Sequence, residues 1–243
     1  MRPAAGRDRP GRAAAEAMSS ASPAGRKSMT TLSLTTFVSV DGVMQAPGGP
    51  AEDPSGGFEQ GGWVVPHIDD DMGAFIAKTF AEAGGFVLGR RTYEIFASYW
   101  PGVTDPDDPV AAKLNSCPKY VASTTLKSAG WYNTTLLREN VPEQVAALKQ
   151  QHQGGGELQI HGSGVLAQSL MAHDLVDLFR LLTFPVVLGN GRRLFAEGTR
   201  PMGMTLTEST TTGTGIAIHT YERTGPPEYG DFALRDEDDA RGK

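Results

Sequence analysis

Hydrophobic and β-branched residues fall in short runs separated by turns rich in glycine, proline and acids. Residues 31–40 (Thr31-Leu32-Ser33-Leu34-Thr35-Thr36-Phe37-Val38-Ser39-Val40) alternate in part and predict a central strand. Asp41-Gly42 ends it as a turn. Residues 45–67 predict a long loop. Connections of this length inside a domain are usually functional, so the loop is expected to form a flap over a site. Phe75, Ile76, Phe80 and Ala83 share one helical face, which predicts a helix over residues 72–83. Asp69-Asp70-Asp71 open it and Gly84-Gly85 close it. Phe86-Val87-Leu88 is a buried-strand run that stops at Gly89, and Arg90-Arg91-Thr92-Tyr93 leads into a helix reaching about Tyr99. A short helix to Leu114 follows, then strands at 119–122 and 134–137 and a helix from Pro142 to about Gln151.

The second half repeats the strand–glycine–helix theme. Residues 157–161 predict a strand, Gly162-Ser163-Gly164 a junction, and residues 165–171 a helix. A strand at 177–184 precedes a turn at Gly189-Asn190-Gly191. Residues 204–212 and 216–221 predict a closing hairpin around Gly213-Thr214-Gly215. The alternation predicts an α/β fold with three layers: a mixed, mostly parallel sheet, helices on both faces and an antiparallel C-terminal hairpin. One domain is expected over residues 29–224. A disordered arm is expected at 1–28 and a disordered acidic tail at 225–243.

Composition narrows the classes. The chain has 243 residues and a formal charge of −6, which gives nucleic acid no electrostatic purchase. No apolar run approaches the length of a membrane span. The single cysteine, Cys117, excludes an internal disulfide, and this fits a reducing cytoplasm. The five histidines show no metal-ligand spacing, so no metal is expected.

Three strand ends carry the chemistry. Gly89-Arg90-Arg91-Thr92, Ser123-Thr124 and Gly162-Ser163-Gly164 would share one edge of a parallel sheet, where helix N-termini and hydroxyls bind anions. Arginines beside hydroxyls suit a 2′-phosphate, which favours NADPH over NADH. Neither a complete G-x-G-x-x-G nor a nucleoside-triphosphate loop is present. Asp41, Asp69, Asp70 and Asp71 are the candidates for proton chemistry, although a turn and a helix cap account for some of them equally well. Trp63, in the flap, could stack on a flat ring.

These residues carry a resemblance. The runs Phe37-Val38-Ser39-Val40-Asp41-Gly42, Val87-Leu88-Gly89-Arg90-Arg91-Thr92-Tyr93-Glu94 and Ile160-His161-Gly162-Ser163-Gly164 come first. Leu175-Val176-Asp177, Pro185-Val186-Val187-Leu188-Gly189-Asn190-Gly191 and Leu194-Phe195 follow. Together the chain resembles the dihydrofolate reductase-like fold, in the group related to the C-terminal reductase domain of the riboflavin-pathway deaminase–reductase. The resemblance implies NADPH as hydride donor and a homodimer. It implies that Gly89, Arg90, Arg91 and Thr92 hold the 2′-phosphate and pyrophosphate. It puts Ser123 and Thr124 at the adenosine end, and Gly162, Ser163, Gly164 and Val165 under the pyrophosphate. It assigns the substrate carboxylate to Asp71, with Asp70 as second choice, and places Asp41 near the nicotinamide. The deaminase half is absent, since neither H-x-E nor P-C-x-x-C occurs. The segment between Asp41 and Asp71 is longer than in folate reductases, which argues against folate. The expected activity is reduction of a pyrimidine- or pteridine-like heterocycle, similar to 5-amino-6-(5-phosphoribosylamino)uracil reductase. A ligand-binding protein of the same fold without turnover is the rival, and a flavin- or quinone-linked oxidoreductase is third.

Overall fold

The computed structural model describes residues 29–152 and 155–232. The arm expected at 1–28 and residues 233–243 of the expected tail lie outside the described residues. Eight strands form one sheet: β1 (Leu32–Ser39), β2 (Ala83–Gly89), β3 (Lys119–Ala122), β4 (Thr134–Leu137), β5 (Glu157–His161), β6 (Leu178–Phe184), β7 (Gly203–Thr211) and β8 (Ala217–Gly225). Their order is β4-β3-β2-β5-β1-β6-β8-β7. The six strands from β4 to β6 are parallel to their neighbours, and β8 and β7 close the sheet antiparallel. The helices are α1 (Asp70–Ala81), α2 (Arg90–Tyr99), α3 (Pro109–Ser116), α4 (Val141–Gln151) and α5 (Gly164–Ala172).

Alternation along each strand assigns its two faces. Leu32, Leu34, Leu158 and Ile160 pack with Leu166, Leu170 and Met171 of α5 and Val145 of α4. Phe86, Leu88 and Val121 pack on the other face with Phe80 of α1, Tyr93 of α2 and Leu114 of α3. Each fully buried leucine or phenylalanine of this kind contributes about 1.5–3 kcal/mol. The result is the three-layer α/β fold the sequence predicts.

Two local differences have physical causes. Gly84-Gly85 do not stop α1 but belong to β2. A Cβ on Gly84 would lie 2.1 Å from the Gly155 carbonyl oxygen, so glycine is there to admit a neighbouring backbone. The hairpin strand β8 runs to Gly225, four residues past the expected end, because Glu222 pairs with both Leu178 and Thr205.

The α1 face also carries a buried polar row. His161, Thr35, Arg180 and Thr220 are neighbours across β5, β1, β6 and β8. Arg180, 7% exposed, donates to Glu157 at 2.8 Å and to Glu82 at 2.6 Å. His161 stacks on Phe80 with ring centres 4.2 Å apart, and its Nε2 lies 3.0 Å from Gln159 Oε1. Burial, reinforced by the Arg180 charge, lowers its pKa to about 3, so it is neutral at pH 7.

Candidate active site

Parallel pairing brings the C-terminal ends of β3, β2 and β5 side by side, with Gly89 in register with Ala122. The three glycine or hydroxyl junctions therefore share one edge. Gly89 is the N-cap of α2 and Ser163 the N-cap of α5, and neither helix has a side-chain cap. By contrast, α1 is capped by Asp69 and α3 by Asp108. The starts of α2 and α5 thus leave first-turn N–H groups available to an anion.

Ser163 ties these two termini together. Its hydroxyl accepts from Gly89 N at 3.0 Å and lies 3.0 Å from both Thr92 Oγ1 and the His161 carbonyl. It holds a left-handed backbone, with φ of 51°, directly after Gly162 at 55°. A non-glycine residue there is strained, and the hydroxyl contacts offset that strain. Gly164 starts α5 against Met44, whose Sδ would meet an added Cβ at 2.7 Å. Val165 follows, 72% exposed beside the edge.

The two arginines diverge. Arg90 pairs with Glu94 at 2.8 Å and donates to Thr125 Oγ1 at 2.7 Å, so it leans toward the loop after β3. Ser123, buried at the start of that loop, accepts from Thr125 N and Leu126 N. Thr124 is exposed. Arg91 turns the other way and pairs with Asp53 of the 45–67 segment. The two side chains therefore sit on opposite sides of the start of α2.

The acids lie along the same edge, toward β6 and β8. The Asp41 carboxylate accepts from Ser39 Oγ at 2.7 Å, Leu188 N at 3.1 Å and Gly189 N at 2.9 Å. The Ser39 hydroxyl, then the backbone N–H groups, hold its pKa at about 2. A carboxylate so committed does not donate a proton at neutral pH. The structure therefore makes Asp41 a staple between β1 and the loop after β6. Asp69 caps α1 through Met72 N and also accepts from Thr214 N and Thr214 Oγ1. The Met72 N–H leads in holding its pKa at about 2. Asp71 accepts from Gly213 N at 3.2 Å and is otherwise exposed, as is Asp70. The hairpin loop thus docks on the acidic start of α1.

Trp63 is buried rather than open to a flat ring. It is 7% exposed, donates from Nε1 to the Gln45 carbonyl at 2.8 Å, and packs edge-on against Phe184. Together with Phe58 and Val64 it anchors the segment into the core beside Leu182 and Ile218. Sequence reading missed Asp53, Gln45 and Arg192. All three sit in irregular chain, and their pairing joins residues more than a hundred positions apart. No local pattern signals it. Among the described residues no helix is long and apolar enough to cross a membrane.

This sheet order, with junctions on adjacent parallel ends and a hairpin closing beside an acidic helix start, defines a dihydrofolate reductase-like protein. The RibD C-terminal domain family matches residues 30–218, and the chain belongs to that family. The membership supports a reductase-like activity. The chain is 25% identical over 194 residues to the Bacillus subtilis (strain 168) "Uncharacterized protein YyaP", covering 79% of this chain and 94% of that one. Among solved structures it is similar to a pyrimidine reductase-like protein from Corynebacterium diphtheriae (TM-score 0.55, 12% identity, 80% of this chain and 92% of the other). It is also similar to dihydrofolate reductase from Enterococcus faecalis in complex with NADP(H) (TM-score 0.50, 16% identity, 79% and 96%).

Proposed function

We propose that the protein is an NADPH-dependent reductase of a flat pyrimidine- or pteridine-like heterocycle. The observation that carries this is the pair of uncapped helix N-termini at Gly89 and Ser163, locked together through one hydroxyl. A pyrophosphate fits such a pair, because backbone N–H groups and two helix dipoles converge on it. Arg90, beside Thr125, would meet the 2′-phosphate, and Ser123 and Thr124 would border the same end. When bound, the cofactor would supply a hydride to the carbon of a substrate C=N bond, and the nitrogen would take up a proton from solvent. The chain's own part is to hold the phosphates and orient the substrate ring. Asp71, with Asp70 beside it, supplies the exposed carboxylate that accepts a ring N–H. Asp41 keeps the loop at Leu188 and Gly189 in place beside it.

Calorimetric titration tests the cofactor. NADPH should bind at least tenfold more tightly than NADH, and Arg90→Ala should weaken NADPH while leaving NADH unchanged. Equal weakening removes Arg90 from the 2′-phosphate role, and no NADPH binding at all ends the proposal. The rival, a ligand-binding protein without turnover, is favoured if NADPH binds but is not oxidised across a panel of pterins and aminopyrimidines. The homodimer is part of the same proposal, with light scattering expected to give twice the chain mass.

A further inference from the structure

The 45–67 segment reaches the dinucleotide edge through one carboxylate. Asp53 is only 7% exposed and sits inside a prepared holder. Gln45 Nε2 donates to the carbonyls of Asp53 (2.9 Å) and Ser55 (2.8 Å), and Gln45 Oε1 accepts from Arg192 N at 3.0 Å. The Asp53 carboxylate takes hydrogen bonds from Ser55 N at 3.2 Å and from the Ser55 hydroxyl. It accepts from Arg192 Nη1 at 2.9 Å and also pairs with Arg91. Arg91 differs from its partner. Its side chain is 53% exposed, and it is the second residue of α2, beside the uncapped terminus.

Two features distinguish this contact from a plain staple. The pair spans from the segment to the helix start that the phosphates need, so it ties the segment to that terminus. The acid also keeps Arg192 and Ser55 when Arg91 departs, so separation strands no buried charge. Meanwhile two guanidinium groups share one carboxylate, which leaves positive charge for an incoming anion.

We propose that Asp53 is a built-in stand-in for a phosphate: it holds Arg91 in the ligand-free protein, and the phosphates of the cofactor displace it, releasing the 47–57 tip from the start of α2 as they bind. This rests on the dinucleotide reading above. Hydrogen–deuterium exchange over residues 47–57 of the full chain, with and without NADPH, tests it alongside calorimetric titration. In the ligand-free state Asp53→Asn should exchange at least roughly threefold faster across the tip and bind NADPH roughly threefold more tightly, as expected for loss of the ion pairs to two half-exposed arginines, Arg91 and Arg192. Arg91→Gln, which leaves the Asp53–Arg192 pair and the segment's interior in place, should loosen the tip to a smaller extent, which keeps the test valid if Asp53→Asn does not fold. NADPH should speed tip exchange in the wild type and leave it unchanged in Asp53→Asn. If NADPH binds the wild type and tip exchange stays the same, or if neither variant loosens the tip, the stand-in is overturned and the cofactor reading survives. If NADPH binds neither wild type nor Asp53→Asn, the cofactor reading itself falls, and the stand-in with it.

Discussion

Replacing His161 by glutamine should flatten the loss of stability on mild acidification. His161 is buried against Phe80 and accompanied by Arg180, and its pKa falls from the ordinary 6.5 to about 3. In the unfolded chain it regains the ordinary value. Between those limits the unfolded state binds more protons than the folded one. Stability is therefore complete above pH 6.5 and is lost as the pH falls toward 3. From pH 7 to pH 5 this one ring removes about 2 kcal/mol, the logarithm of the two binding polynomials at about 1.36 kcal/mol per unit. The window matters, because Asp41 and Asp69, with pKa values of about 2, contribute their losses only below about pH 4. Urea unfolding of wild type and His161→Gln at pH 7, 6 and 5 isolates the effect. The variant should be weaker at pH 7 by about 1–2 kcal/mol, through lost packing on Phe80. Its fall to pH 5 should be smaller than that of the wild type by about 2 kcal/mol. Identical slopes would show that His161 takes up its proton as readily in the folded protein as in the unfolded chain and refute the argument.

Other outcomes follow from single contacts. Ser163→Ala should cost about 1–2 kcal/mol in unfolding and weaken NADPH, since Gly89 N and Thr92 lose their shared partner. Ser163→Gly should recover about 1 kcal/mol of that by relieving the left-handed backbone, without restoring affinity. Equal stability of the two variants would argue against strain at this residue. Trp63→Ala should cost about 3–5 kcal/mol in denaturant unfolding, because the indole is core. A fully stable variant that lost only ligand affinity would return Trp63 to the site. Arg180→Met leaves Glu157 without its partner and should destabilise by about 3–5 kcal/mol, with Glu157→Gln restoring part of the loss in the double variant.

The anion edge was legible because each part is contiguous in sequence. A buried run, a glycine and a helix start appear together at 86–93 and again at 158–166, and parallel pairing does the rest. The strands were legible for the same reason, since β-branched alternation is a local property. What escaped is non-local. Asp41 looks like any turn aspartate until Leu188 and Gly189 are placed against it. Trp63 looks like a free aromatic in a polar loop until Phe184 is beside it. Gly84 reads as a helix stop, because the Gly155 carbonyl that requires it lies seventy residues on. The divergence of Arg90 and Arg91 depends on Thr125 and Asp53, neither of which is in a recognisable pattern.

The position of β1 has a consequence for how the chain is made. Leu32 and Leu34 lie at the centre of the sheet, yet their partners are Leu158 and Ile160 on one side and Phe179 on the other. During synthesis an apolar, β-branched strand emerges and finds no partner strand until β5, more than a hundred residues further on, has followed. Long-range parallel pairing of this kind is slow and exposes sticky strands while it waits. Chaperone dependence and aggregation of truncated chains should therefore change abruptly at the length that first releases β5 from the ribosome.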